Sequence, residues 1–252
     1  MSAPVEALRL EPPRRKMSAS QKALWGVVGF LVLAKLIELV VHMPVVNPSQ
    51  TAIFAWKWIA FFAILALLGS GFAHIITFPG MWDPAVDNRD RIWKPLGIGL
   101  AFGAALLAVS HAARFAAAQA AAIGSPSLLH VPFPYSLLFY LYTGVCSSIF
   151  YCLFPIAFTV WFFGTLLLAR RWPRHTFWTM AVLVSFWEPL TMAGRNHWAL
   201  LRQPHVAGIV ALLALLYAAD FTAACLFRRF GFLAALALRL SLVVVWNIIG
   251  KV

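Results

Sequence analysis

Seven runs of about twenty apolar residues constrain this chain more than any other feature. They lie at 24–43, 51–77, 96–120, 135–169, 175–193, 205–227 and 231–249. A helix of about 20 residues, rising ~1.5 Å per residue, crosses the ~30 Å hydrocarbon core of a bilayer. The expected fold is therefore an all-α, polytopic transmembrane helix bundle of seven spans. The fourth run is too long for one perpendicular helix and contains Pro155, so it is either kinked and tilted or split into a span plus a re-entrant piece, which would make eight. Of the 252 residues, 62% are hydrophobic and 11% charged, against about 25% charged in an average soluble chain. The expected division is a cytoplasmic basic N-terminal segment, 1–22, and a single bundle, 23–252. Basic residues precede the first apolar run, as in a signal peptide. That run is long enough to span and no Ala-x-Ala site follows it, so it is expected to be retained.

A net charge of +12 would suggest nucleic acid in a soluble chain. Here Lys and Arg fall mainly at the ends of apolar runs, where they orient helices and meet anionic lipid, so nucleic acid is not an expected partner and membrane lipid is. With the N-terminus inside, thirteen basic residues face the cytoplasm, Arg9, Arg14, Arg15, Lys16, Lys22, Arg89, Arg91, Lys94, Arg170, Arg171, Arg174, Arg228 and Arg229; three face outward, Arg195, Arg202 and Lys251. The expectation is an integral protein of a bacterial inner membrane, N-terminus cytoplasmic and C-terminus outside. Cys146, Cys152 and Cys225 lie within apolar runs without CxxC spacing, which predicts buried free thiols rather than a disulfide or zinc site.

The charged residues inside the runs are the candidate functional groups. Arg239 sits at the centre of the last run, where an unpaired guanidinium costs roughly 2.5–3.5 kcal/mol or more. It lies about nine residues past the inner boundary, and Asp220 about eight before it in the preceding span. Antiparallel neighbours therefore bring the two within about one turn of the same depth, and a structural ion pair is expected. Lys35 and Glu38, three apart, are expected to neutralise each other on one face, with His42 in reach of the same role. Glu188 has no partner at helical spacing and precedes Pro189. It is the acid with the strongest claim to function, although a buried structural glutamate is the plainer reading.

Other polar features point to no cofactor and no metal. His130, His197 and His205 are expected on the outer side, without the spacing of a metal-binding helix, and His74 or His111 are the positions a haem or pigment would use. The segment 78–95 alternates Asp83, Asp87 and Asp90 with Arg89 and Arg91 but lacks calcium-loop spacing, so a solvated turn or docking loop is expected. Gly99 and Gly103, followed by Ala104, Ala108, Ala112 and Ala116, predict close packing of the third span on another helix.

From about Tyr140 to Gly250, the segment GVCSSIFYCLF, then SFWEPL, then the turn RRFG followed by Arg239 and Asn247, form a frame that resembles the CPBP family of intramembrane glutamic proteases, the CAAX-protease and bacteriocin-processing type. That family carries Glu-Glu-x-x-x-Arg on a mid-chain helix. In the segment GVCSSIFYCLF the same apolar frame holds Ser147 and Ser148 at the acid positions and Cys152 at the arginine position. The Phe-x-x-x-His motif would end at Trp187 or Glu188. After an Arg-rich turn and Gly231, the last motif has Arg239 for histidine, Val243 for the acid or amide, and Asn247 for a further histidine. The resemblance implies a CPBP-like core at about 135–250 and a reaction in which glutamate activates water while histidine and amide groups stabilise the oxyanion.

Serine cannot serve as that base near neutral pH, and Cys152 has no base at helical spacing. The expectation is thus a pseudo-protease, a non-catalytic scaffold or binding subunit for other membrane proteins or peptides. Two alternatives stand beside it: an active intramembrane protease with Glu188 as base and Asn247 or Arg239 as oxyanion donor, and an accessory subunit of a redox, pigment or transport complex. The state of the centre separates the first pair of roles. An open groove at Ser147, Cys152, Glu188, Arg239 and Asn247 favours peptide binding; a closed, filled centre favours a scaffold alone.

Overall fold

A capping box opens the first helix: the Ser18 amide donates to Gln21 Oε1 at 2.9 Å and the Gln21 amide to Ser18 Oγ at 3.2 Å, satisfying two amides that have no partner within the helix. The computed structural model describes residues 18–41, 52–112, 131, 133–167, 173–195 and 206–249. Among them regular structure is entirely helical. Helix α1 is Ala19–Val41, α2 is Trp56–Ile75, and α3 is Lys94–Ala112 behind a π-helical turn at Arg89–Trp93. The long fourth span contains α4, Tyr135–Ser148, and α5, Phe154–Thr159, joined by a π-helical stretch at Ile149–Leu153 and extended by another at Val160–Leu167. Then come α6, Pro173–Ser185, α7, Trp187–Arg195, α8, Val206–Phe230, and α9, Phe232–Val243, which continues as a π-helical stretch at Val244–Ile248.

Five of these segments are long and apolar enough to cross a membrane: Ala19–Val41, Trp56–Ile75, Arg89–His111, Tyr135–Leu167 and Ala207–Phe230. The expected runs at 175–193 and 231–249 fall on shorter pieces, one broken at Phe186 between α6 and α7, the other the apolar helix Phe232–Ile248. The fourth span runs without interruption from Tyr135 to Leu167, and the alternative of a span plus a re-entrant piece is not seen. A proline lacks an N–H and its ring crowds the carbonyl four residues earlier. For Pro155 that residue is Tyr151, inside the π-helical stretch, where the widened turn relieves the crowding.

Leu31, Ala66, Tyr142, Ile149, Ile156, Phe227 and Ala234 are fully buried in the main core, which α1, α2, α4, α5, α8 and α9 share. Leu36, Val40, Ile64, Leu67, Leu166 and Leu190 are exposed on the outside. An apolar outer surface of this extent suits lipid rather than water.

Helix α9 is wedged against α3 by the two glycines. A Cβ on Gly99 would stand 2.1 Å from the Leu238 carbonyl oxygen, and one on Gly103 2.7 Å from Val245 Cβ. The small-residue spacing is therefore used inside the bundle, while Ala104 and Ala108 are exposed. At the far end Trp246 Nε1 donates to Ser110 Oγ at 3.2 Å, which donates to the Leu106 carbonyl at 2.7 Å.

The segment 78–95 departs from a solvated loop. Arg91 and Met81 are buried. The Arg91 guanidinium donates to the carbonyls of Asp83 and Val86, the latter at 2.6 Å, and to Asn88 Oδ1 at 3.2 Å, and it lies 4.6 Å from the centre of the Trp82 ring. One arginine thus folds the loop back on itself. Asp90 pairs with Lys94 one helical turn on.

Candidate functional site

The site is built from a hairpin. Helix α8 ends at Phe230, Gly231 turns the chain with φ +86°, and α9 begins at Phe232. A side chain at 231 would be strained by that φ and would also meet the Gly80 carbonyl oxygen at 2.6 Å. Asp220 lies eleven residues before Gly231 and Arg239 eight after it. At 1.5 Å per residue these are about 16 and 12 Å from the turn, a gap an arginine side chain spans. Arg239 Nη2 donates to Asp220 Oδ1.

The third member comes from a break in another helix. Helix α6 stops at Ser185, whose Oγ donates to the Ala181 carbonyl at 2.6 Å, and α7 restarts at Trp187. Pro189 is tolerated in the first turn of a helix, where its missing N–H would have no intrahelical partner, and Glu188 in that turn is favourably placed for the helix dipole. Arg239 Nη1 donates to Glu188 Oε2. Glu188 therefore has the partner its own helix lacks, on a segment 51 residues away.

One guanidinium thus holds two carboxylates, a formal excess of one negative charge. The side chains of Arg239 and Asp220 are 6% and 7% exposed and that of Glu188 23%, so the pair on the hairpin is closed and only the α7 acid reaches toward the outside. Asp220 Oδ2 is buried and has no hydrogen-bond partner among the described residues. The Thr191 hydroxyl donates to the Glu188 carbonyl at 2.9 Å and lies 3.4 Å from the Tyr151 hydroxyl, which ties α7 to the π-helical stretch of the fourth span. The buried Cys152 thiol, from the same stretch, lies within Coulombic reach of Arg239 and Asp220.

The remaining motif positions make other contacts. Ser148 is buried and donates to the Gly144 carbonyl at 2.8 Å. Ser147 is half-buried. Val243 packs by Gly144, where an added Cβ would be 3.8 Å from Val243 Cγ2. Asn247 is half-buried in the terminal π-helical stretch, eight residues past Arg239, about 12 Å along the axis. A carboxylate bound to a guanidinium is a poor general base, because taking a proton means giving up a charge-assisted bond. The arrangement can clamp helices.

Lys35 Nζ meets Glu38 Oε2 at 2.5 Å, three residues apart on α1. Among the described residues no group of three His, Cys, Asp or Glu side chains could hold a metal ion. His42, His130, His197 and His205 lie outside the described residues, as do the basic segment before residue 18, Arg170, Arg171, Arg202, Lys251 and Ala116. The sequence singled out Glu188, as the acid with the strongest claim to function or as a buried structural glutamate, but did not pair it with Arg239. The only signal of that pairing was an acid inside an apolar run with no local partner. Comparison with protein-family models, with characterised proteins and with solved structures finds no match for this chain.

Proposed function

We propose that this chain is a non-catalytic integral membrane protein, a CPBP-like pseudo-protease whose bundle serves as a scaffold for other membrane proteins. One observation carries the reading: the guanidinium of Arg239 occupies both Asp220 and Glu188, which engages both of these acids at the resembled reaction centre as structural partners. The closed state of that pair favours a scaffold over a peptide-binding groove. The finer architecture belongs to the same proposal. Seven crossings, five long and two shorter, put the N-terminus in the cytoplasm and the C-terminus outside a bacterial inner membrane, in keeping with the Lys and Arg bias.

The test is purification of the full chain with its neighbours after gentle solubilisation, beside peptide-cleavage assays in proteoliposomes. A stoichiometric membrane-protein partner and no cleavage are expected. A lone monomer in several detergents, or cleavage abolished by Glu188→Gln, refutes the proposal.

The orphaned Asp220 Oδ2 and the surplus carboxylate favour one second reading, an accessory subunit of a transport complex. Ion or proton flux in liposomes that depends on Asp220 would select it; none would exclude it.

A further inference from the structure

An open groove of about 650 Å³ runs between α1 on one side and α4 and α9 on the other. Its walls are apolar except at one end, where Lys22 and Trp82 stand at the mouth. We infer that this groove holds an acyl chain of an anionic phospholipid, with the headgroup phosphate on Lys22.

Length selects the occupant. Along α1 the groove extends from Ala19 to Phe30, and along α9 from Leu233 to Leu240, about 16 and 10 Å at 1.5 Å per residue. Neither goes beyond about half of the ~30 Å hydrocarbon core, the depth of a chain in one leaflet. A crossing partner helix, about 10–12 Å wide, would need a contact surface through the whole core.

Charge selects the headgroup. Lys22 is exposed and forms no ion pair among the described residues. It sits where the apolar part of α1 begins, the position from which a lysine meets lipid phosphate. The tryptophan beside it is fixed rather than loose. Its backbone amide donates to Ser20 Oγ at 3.1 Å, and the buried Arg91 lies 4.6 Å from its ring centre. An indole held at the boundary is the usual companion of a headgroup.

Gly26 makes the idea testable without damage to the fold. It lines the groove, and no atom lies within 4 Å of where its Cβ would stand. Leucine there enters the groove rather than the core, and it replaces a poor helix former by a good one.

The experiment is native mass spectrometry of the full chain released from nanodiscs of equal phosphatidylglycerol and phosphatidylcholine. The unmodified protein is expected to retain one phosphatidylglycerol. Gly26→Leu should lower that retention at least tenfold with unfolding temperature unchanged or raised. Lys22→Gln should keep a lipid but lose the preference for phosphatidylglycerol several-fold. If Gly26→Leu fails to fold, Leu141→Trp fills the groove from the opposite wall and is expected to displace the lipid equally. No retained lipid, equal retention in both filled variants, an unchanged preference in Lys22→Gln, or a second copy or protein adduct in place of lipid would each overturn the inference.

Discussion

Replacing Arg239 by methionine should be far more damaging than neutralising either acid it holds. The substitution leaves Asp220 and Glu188 near each other, one of them 7% exposed, with no cation between them. Removing one side of a buried ion pair typically costs about 3–5 kcal/mol, because the other charge stays buried and uncompensated. Asp220→Asn differs in kind. It keeps the shape and leaves the Glu188 to Arg239 pair intact, one charge of each sign, so the expected loss is about 1 kcal/mol. Glu188→Gln should cost about the same, since the Asp220 pair survives. The two together leave a bare guanidinium inside the bundle, and the loss should return to about 3–5 kcal/mol, at least ~1 kcal/mol beyond the sum of the singles. At about 1.4 kcal/mol per factor of ten, the Arg239→Met and double variants should unfold at equilibrium roughly a hundredfold or more readily than the parent. Reversible unfolding by sodium dodecyl sulfate in mixed micelles, followed by circular dichroism, reads these differences. Additive losses in the double variant, or an Arg239→Met loss no larger than that of Asp220→Asn, would refute a single clamp.

Two glycines offer independent checks on the packing that positions the clamp. Gly231→Ala should lower stability by about 1–3 kcal/mol through its left-handed backbone, and it adds a Cβ contact of 2.6 Å with the Gly80 carbonyl; an unchanged unfolding midpoint would contradict the hairpin geometry. On α3, Gly99→Ala forces a Cβ to within 2.1 Å of Leu238 O and should push α9 away, whereas Gly97→Ala meets nothing within 4 Å and should be neutral or gain up to about 1 kcal/mol from helix propensity. The same micelle titration compares the pair, and equal effects would argue against the α3 to α9 contact.

What could be read from the sequence was whatever chain connectivity fixes. Asp220 and Arg239 flank a one-residue turn, so counting rises along two consecutive helices was enough to place them at one depth. Glu188 was out of reach of that count. Its position depends on where α6 breaks, at Phe186, and on how α7 then leans toward α9, which is a matter of tertiary packing. The glycine spacing of α3 announced a close neighbour without saying which one. Arg91 looked like one more charge on a polar loop. Its burial follows from the carbonyls of Asp83 and Val86 turning inward, which no periodicity encodes. The widened turn before Pro155 was legible as a disturbance, but whether the helix bends, breaks or bulges depends on its neighbours.

These features divide the bundle into a fixed side and an accessible one. On the fixed side a single guanidinium ties α7 to the α8 and α9 hairpin, Gly99 and Gly103 hold α9 against α3, and Trp246 fastens its far end to Ser110. Buried ionic groups are a poor source of net stability but fix which elements meet. A hairpin held by α7 on one side and by α3 along its length has little freedom to open. On the other side α1 packs chiefly on α2 and stands off from α9 across an apolar groove. Exchange with the surroundings should therefore occur along α1, with the α8 and α9 hairpin serving as the rigid spine against which it happens.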